Sequence, residues 1–156
     1  MKVGKYCNHN IVVGETSDNL LYAARLMHGQ NTGYLVVIEK NGSFIKPVGI
    51  LTCRDILNQC LIENIDPATI SLADMIISEP VLAREDDDIE ISVTRMSEMD
   101  LKCIPVVNNT GQLMGIFTID DLIKVFLDEN DQLKLLTDRV RETGQNPPSI
   151  TVNHTA

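Results

Sequence analysis

Hydrophobic and polar positions along this chain follow either the period of a strand or the period of a helix. In the first half these patterns predict the following order of strands and helices. The runs NIVVG and YLVVIEKNG indicate strands, and ETSDNLLYAARLMHG between them has apolar residues at helical spacing. Ser17 or Asp18 is placed to cap that helix, and Gly29 to end it. Asn41-Gly42 then predicts a tight turn into the strand FIKPVGIL, and TCRDILNQCLIEN predicts a second helix. The first half therefore predicts a β-α-β-β-α unit.

A second unit with the same order follows at a nearly constant distance. PVLA is its first strand, REDDDIEISVTRMSEM its helix, CIPVVNNTG and QLMGIF its hairpin, and TIDDLIKVFLDENDQLKLLTDRVRE its last helix. Met27 and Met96 are 69 positions apart, whereas Gly49 and Gly115 are 66 apart, so the first hairpin is longer. Neither copy would cover its own sheet well, so the two should pack together as one repeat protein.

These patterns predict a mixed α/β (α+β) chain with three segments. Residues 1–66 form the first repeat. Residues 67–142 form the second repeat with the linker before it, where SLADMI is one helical turn, and a long C-terminal helix. Residues 143–156, which contain Gly144 and Pro147-Pro148, form a flexible tail.

Composition and charge exclude several classes of function. Hydrophobic residues make up 44% of the 156 residues and aromatic residues 4%, which is typical of an aliphatic core. No apolar run reaches the roughly 18 residues of a membrane span, and MKVGKYCNHN lacks a signal-peptide core, so we expect a cytoplasmic protein. The net charge of −9 disfavours nucleic acids and anionic membranes as partners. The four cysteines lack metal-site spacing, so we expect reduced thiols and no metal site.

The motif GILTCRDIL returns as GIFTIDDLI and has two interpretations. Thr52 and Thr118 stand where a strand gives way to a helix, and Asp55 and Asp121 lie in the first turn of that helix. In one interpretation each Thr-x-x-Asp only caps its helix. In the other, the helix N–H groups and the hydroxyl bind a phosphate, while the carboxylate accepts hydrogen bonds from a ribose diol. These residues by themselves leave both interpretations open.

The two motifs, together with YLVVIEKNG, IPVVNNTG and ADMIISEPVLAREDDDIEISVTRM, resemble the tandem cystathionine-β-synthase (CBS) domain pair, or Bateman module. The resemblance covers about residues 3–127. It implies two CBS repeats related by pseudo-twofold symmetry, with two clefts between them. It also implies that the clefts bind an adenosine-containing ligand such as AMP, ADP or ATP as a regulatory ligand rather than a required cofactor. Such modules usually form homodimers.

The resemblance further implies which residues line each cleft, one repeat contacting ribose and phosphate and the other the base. The first set is Ile50, Thr52, Arg54, Asp55, Val81, Leu82, Leu101 and Lys102. The second set is Ile116, Thr118, Asp120, Asp121, Asn10, Val12, Thr32 and Gly33. Arg54 and Asp120 occupy equivalent positions with opposite charge, so we expect the first cleft to prefer the ligand with more phosphate groups.

We therefore expect a regulatory module and not an enzyme. The sequence has no glycine-rich phosphate loop, nucleophile elbow or HExxH metal motif. The module would sense an adenosyl ligand and signal to an unidentified partner protein. The alternative is a CBS-fold interaction or scaffold protein without a ligand. Apolar residues on a second side of the helices predict a homodimer through Ala23, Ala24, Ile91 and Val93.

Overall fold

A computed structural model describes residues 1–130, and within them the chain forms two equivalent three-stranded sheets covered by helices. The elements are α1 (Val3–Tyr6), β1 (Val13–Glu15), α2 (Leu20–Gly29), β2 (Tyr34–Asn41), β3 (Phe44–Thr52), α3 (Cys53–Leu57), the π-helix π1 (Asn58–Ile62), α4 (Leu72–Met75), β4 (Ala83–Arg84), α5 (Ile89–Glu98), β5 (Cys103–Val107), β6 (Leu113–Thr118) and α6 (Ile119–Glu129). The strand orders are β1-β2-β3 and β4-β5-β6. The predicted mixed α+β class with two repeats is confirmed.

The chain divides into two compact units, Met1–Leu122 and Ile123–Ala156. The first unit contains both sheets. Of the second unit the structure describes residues 123–130, most of which belong to α6. The predicted continuation of the last helix to residue 142 and the predicted tail lie outside the described residues. Between residues 1 and 130, no helix combines the length and apolarity needed to cross a bilayer.

The strand pairing of the first sheet is repeated in the second, including its irregularity. Val37 pairs with Gly49 and Val106 pairs with Gly115, and in both sheets a β-bulge follows that pair. Both glycines are in close contact with a distant segment. A Cβ on Gly115 would lie 2.6 Å from the Sγ of Cys7, and a Cβ on Gly49 would lie 3.0 Å from the Cγ1 of Ile76. Glycine is needed at these positions because the neighbouring chain approaches so closely.

The central strand β2 has two buried faces. Its residues Leu35 and Val37 pack against α2, in a cluster that also contains Leu20, Ala23 and Met27. The alternate residues pack against the second sheet, in a cluster that contains Val36, Ile38, Cys103 and Ile116. Successive side chains of a strand point to opposite faces, so one strand builds both layers. Each fully buried aliphatic side chain contributes about 1.5–3 kcal/mol relative to an exposed one.

The predicted cap of α2 was wrong. The helix begins at Leu20, and the Asn19 side chain caps it by accepting a hydrogen bond of 2.8 Å from the N–H of Tyr22. The carboxylate of Asp18 instead accepts a hydrogen bond of 2.8 Å from the N–H of Glu15, in the turn before the helix. The predicted helix end is confirmed, because Gly29 is the last helical residue.

The segment before β1 contains a short helix that the sequence patterns did not predict. Helix α1 is the counterpart of α4, and Val3 and Leu72 are both fully buried at equivalent positions. The N–H of Val3 donates to the carbonyl of Asp87 at 2.9 Å, and the N–H of Leu72 donates to the carbonyl of Asp18 at 2.8 Å. The two helices are 69 residues apart, the same offset as between Met27 and Met96. This offset would have identified α1 as the counterpart of α4.

Strand β4 is shorter than the predicted PVLA, because it contains only Ala83 and Arg84. Pro80 cannot donate a backbone hydrogen bond, and the chain before Ala83 has no regular structure. This irregular stretch forms one side of the cleft described next.

Candidate functional site

Thr52 and Asp55 form a complete capping box at the start of α3. The Oδ2 of Asp55 accepts hydrogen bonds from the N–H of Thr52 at 2.8 Å and from its Oγ1 at 2.7 Å. The N–H of Asp55 donates to the Oγ1 of Thr52 at 3.2 Å. Each of the three bonds uses a backbone or hydroxyl donor, so the capping interpretation of the motif is correct for this half. The capping box leaves the Oδ1 of Asp55 without a hydrogen bond from any described residue.

Thr118 and Asp121 repeat this geometry but are buried. The Oδ2 of Asp121 accepts from the N–H and Oγ1 of Thr118 at 3.0 and 2.8 Å. Asp121 is only 2% exposed, whereas Asp55 is half-buried. The two halves therefore differ in access to solvent, although their local hydrogen bonding is the same.

Asp55 lies in a cleft between β3 and the irregular linker after α4, which we call the linker cleft. Its volume is about 330 Å³, within the range of roughly 300–1,000 Å³ of small-molecule sites. One wall is apolar and comes from both repeats. The lining residues are Gly49, Ile50, Asp55, Met75, Ile76, Ile77, Ser78, Glu79, Pro80, Val81, Met99 and Leu101.

Several residues that line this cleft have unpaired backbone groups. The N–H of Val36 donates to the carbonyl of Val12 in the direction of β1. Its antiparallel partner Ile50 therefore directs its own N–H and C=O away from β2, towards the open edge of β3. Within residues 1–130 these two groups have no hydrogen-bond partner, and the N–H groups of Ile77, Ser78 and Glu79 have none either. The cleft thus combines an apolar wall with free donors and acceptors.

The charged side chains that line the linker cleft are both acidic. They are Asp55 and Glu79, and no lysine or arginine is among the lining residues. A concentration of carboxylates favours a neutral or cationic ligand over one that carries several negative charges.

The structure brings together part of the first predicted set. Ile50, Asp55, Val81 and Leu101 line the linker cleft, and Thr52 adjoins it through the capping box. The remaining three predicted residues lie elsewhere. Arg54 is exposed and does not line the cleft. The Nζ of Lys102 contacts the Oδ1 of Asp100 at 3.2 Å. Leu82 lines a different cleft with Arg84 and Arg95.

The second predicted set is dispersed. Thr32 and Gly33 line a hollow on the helix side with Met27 and Cys53, and Thr118 lines the equivalent hollow with Lys102. The other members differ widely in exposure: Ile116 and Asp121 are buried, Val12 is half-buried, and Asn10 and Asp120 are exposed.

The sequence patterns did not identify the linker as a wall of the cleft. Met75, Ile76, Ile77, Ser78 and Glu79 line it because α4 directs the chain along the edge of β3. Met99 also contributes from the end of α5. Residues 76–79 follow α4 as residues 7–10 follow α1, so the repeat offset was again the available signal.

Comparisons with known proteins agree with the repeat and its topology. The family model described as CBS domain matches residues 3–61 and 72–128. The chain therefore belongs to the CBS domain family, as the sequence resemblance indicated.

Two relatives and two solved structures show the extent of the likeness. An uncharacterized protein of Methanopyrus kandleri, MK0525, is 25% identical over 126 residues, which are 80% of this chain and 62% of that protein. L-aspartate semialdehyde sulfurtransferase of Methanocaldococcus jannaschii is 24% identical over 115 residues, 74% of this chain but only 21% of that protein. The chain thus spans less than two thirds of the length of either relative.

Among solved structures, the CBS domain protein PAE2072 from Pyrobaculum aerophilum complexed with AMP has a TM-score of 0.70 at 19% identity, covering 78% of this chain and 90% of that one. The CBS domain pair of MJ0100, in complex with 5′-methylthioadenosine and S-adenosyl-L-methionine, also has a TM-score of 0.70 at 22% identity, covering 83% and 98%. At these identities the likeness shows the fold alone.

Proposed function

We propose that the linker cleft binds an adenosine-containing ligand with little negative charge, and that its occupancy regulates a partner protein. The observation that carries the proposal is the Oδ1 of Asp55, an acceptor without a described partner, in a cleft that also has an apolar wall and unpaired backbone groups. A carboxylate oxygen in this position suits a ribose diol, since ionised oxygens accept strong hydrogen bonds from hydroxyl groups.

The remaining surfaces of the cleft suit a purine base. Val81, Met99 and Leu101 offer an apolar surface to the ring faces. The free N–H and C=O of Ile50, and the free N–H groups of the linker, can pair with the polar edge of the ring. Ligand sites generally combine such an apolar lining with a few placed polar groups.

Charge decides the class of adenosyl ligand. Arg54 was expected to attract a polyphosphate, but it does not line the cleft, whereas Asp55 and Glu79 do. Two like charges about 5 Å apart interact unfavourably by roughly 3 kcal/mol at an effective dielectric constant of 20. We therefore propose an adenosyl sulfonium compound, an adenosyl thioether or a nucleoside monophosphate in preference to ADP or ATP. Related folds are complexed with S-adenosyl-L-methionine, 5′-methylthioadenosine and AMP, but another, the cytosolic domain of the Mg2+ channel MgtE, is complexed with ATP, so the choice rests on the charge of this cleft.

The test compares two equivalent aspartates that differ in exposure. Asp55→Asn keeps an oxygen for the capping box but removes the charge offered to the ribose. A charge-assisted hydrogen bond is worth about 1.5–3 kcal/mol, so affinity should fall roughly 10- to 150-fold with little change in melting temperature. Asp121→Asn, in the buried counterpart, should reduce stability and leave affinity unchanged.

Calorimetry with S-adenosylmethionine, methylthioadenosine, AMP, ADP and ATP measures the affinities, and thermal melting measures stability. If none of the five ligands binds or raises the melting temperature, the proposal fails and the alternative of a scaffold without a ligand is favoured. If Asp55→Asn binds as tightly as the unaltered chain, the aspartate serves only as a cap.

We also propose that the chain forms a homodimer, through a surface that differs in part from the one predicted from the sequence. Ala23 was expected to face a neighbouring subunit, but it is fully buried against its own sheet. Ile91, which was among the predicted residues, is 46% exposed, and the equivalent position of α2 is Tyr22, which is 48% exposed. Leu57 on α3 is also exposed. A repeated apolar position on two equivalent helices suits a symmetric contact between two chains.

A further inference from the structure

The segment Cys7–His9 lies along the edge of β6 and is fastened there by backbone and side-chain groups; we call it the strap. The N–H of Asn8 donates to the carbonyl of Ile116 at 2.8 Å, and the N–H of Ile116 donates to the carbonyl of Asn8 at 2.9 Å. The Nδ1 of His9 lies 3.0 Å from the carbonyl oxygen of Met114. Cys7 is buried against Gly115. The strap therefore provides hydrogen-bond partners for backbone groups at the edge of β6 that would otherwise be unpaired.

The equivalent segment beside the first sheet, residues 76–78, starts from the equivalent anchor but does not close. The N–H of Ala73 donates to the carbonyl of Thr16 at 3.0 Å, just as the N–H of Gly4 donates to that of Glu85 at 3.0 Å. Beyond α4, however, Ile77 makes no bridge to β3, and it is 96% exposed. Pro80 lies three residues before the short strand β4, at the position where the first repeat has Ile11. The same fold thus contains one closed and one open version of this segment.

The closed strap covers the place that corresponds to the linker cleft. Ile116 uses both of its outward backbone groups on Asn8, whereas its counterpart Ile50 leaves both free. Ile116 is 1% exposed and Asp121 is 2% exposed, whereas Ile50 and Asp55 are half-buried. A ligand that used the second capping box as proposed for the first would have to displace the strap.

We propose that the strap is a built-in occupant that closes the second cleft, so that one chain presents one ligand site and gains a second only when the strap detaches. The number of ligand sites rests on the proposed function, whereas the closing of the second cleft by the strap does not. Two backbone hydrogen bonds and one histidine contact hold the strap to β6, and so few bonds permit local opening without unfolding of the repeat.

Asn8→Pro tests the closure directly. Proline lacks the N–H that reaches Ile116, and Cys7 already has φ −66° and ψ 150°, which a residue before proline can adopt. Ile77→Pro is the matched control in the open segment, where Ile76 has φ −91° and ψ 109° and no hydrogen bond is lost. His9→Ala is a milder second variant, should the proline variant fold poorly.

The readout is the labelling rate of individual cysteines by N-ethylmaleimide, followed by mass spectrometry, together with amide exchange at Ile116. Cys7 is buried and Cys53 is exposed, so Cys7 in the unaltered chain should label at least about tenfold more slowly. Burial, and then the charge of Asp121, also raise the pKa of the Cys7 thiol, which reduces its reactive thiolate. Asn8→Pro should speed labelling of Cys7 and exchange at Ile116 by about tenfold or more, as expected for loss of hydrogen bonds that close a segment. Ile77→Pro should change neither.

A ligand titration completes the test, with S-adenosylmethionine and AMP as probes. The unaltered chain should bind one equivalent and Asn8→Pro should bind two. The proposal is overturned if Cys7 and Cys53 label at the same rate, or if Asn8→Pro leaves labelling unchanged. It is also overturned if the unaltered chain binds two equivalents while Cys7 stays protected. If neither probe binds to any variant, the proposed function fails, and the labelling result still decides whether the strap is closed.

Discussion

Ser92 on α5 offers a direct test of how the two repeats differ in their buried polar groups. Its side chain is fully buried, and its Oγ has no hydrogen-bond partner among the described residues. The equivalent residue of the first repeat, 69 positions earlier, is Ala23, which is also fully buried. We therefore predict that Ser92→Ala stabilises the chain and that the converse change, Ala23→Ser, destabilises it.

The magnitude follows from the cost of a buried hydroxyl without a partner. Mutational data place that cost at about 1–3 kcal/mol. Removal of one oxygen atom leaves only a small void, and alanine has the higher helix propensity, so nearly the whole cost should be recovered. For a chain of this length each kcal/mol shifts the melting temperature by about 2–4 °C. We expect Ser92→Ala to melt roughly 2–12 °C higher, and Ala23→Ser to melt lower by a similar amount.

Thermal melting by circular dichroism, together with urea denaturation, measures both variants. Because the two substitutions exchange the same oxygen atom between equivalent positions, they control for each other. Equal or lower stability of Ser92→Ala would refute the reasoning, since it would mean that the hydroxyl has a favourable partner. A neutral Ala23→Ser would refute it as well, because that helix would then accommodate a hydroxyl without cost.

Three further predictions concern close packing, titration and assembly. Gly115→Ala should destabilise by about 1–3 kcal/mol in urea denaturation, because its Cβ would lie 2.6 Å from the Sγ of Cys7 and 3.0 Å from the backbone oxygen of Asn8 in the strap. A Cβ on Gly49 would meet only side-chain atoms of Ile76, the nearest at 3.0 Å, so Gly49→Ala should cost less; equal costs would contradict the contact. Burial raises the pKa of the Cys103 thiol from 9.0 to about 11, so the unfolded state loses this proton first and stability should fall between pH 9.0 and 11. Cys103→Ala should show a smaller fall in melting temperature over that range, and an identical fall would contradict the assignment. Tyr22→Glu and Ile91→Glu should each convert the proposed homodimer to a monomer by light scattering, and a monomeric unaltered chain would end that proposal.

Local patterns predicted most of the secondary structure because each element carries its own signal. The spacing of apolar residues identified α2 and α5, and Asn41-Gly42 identified the hairpin turn, where Gly42 has a φ of 60°. The two Thr-x-x-Asp motifs predicted capping boxes, which both halves contain. The π-helix at Asn58–Ile62 was not predicted, because an extra residue in a helical turn leaves no clear periodic signal.

The candidate site was predicted only in part, because its walls come from segments that are distant along the chain. Ile50 and Asp55 belong to the motif itself, and Val81 and Leu101 came from the family resemblance. Arg54 also came from the family resemblance, but adjacent residues of a helix point about 100° apart, and Arg54 is exposed and does not line the cleft. The acidic character of the cleft, to which Glu79 contributes, emerged only when the linker was placed against β3.

The sequence by itself determined the duplication, the family, and the order of strands and helices apart from α1 and π1, since all of these follow from residue types at fixed spacing. Only the tertiary structure decided which of two equivalent clefts is open. That difference depends on Asn8 pairing with Ile116, a contact between residues 108 positions apart, and on the absence of such a pair between Ile77 and Ile50. Backbone N–H and C=O groups are the same in every residue except proline, so their pairing across a long chain separation leaves no mark in composition or periodicity.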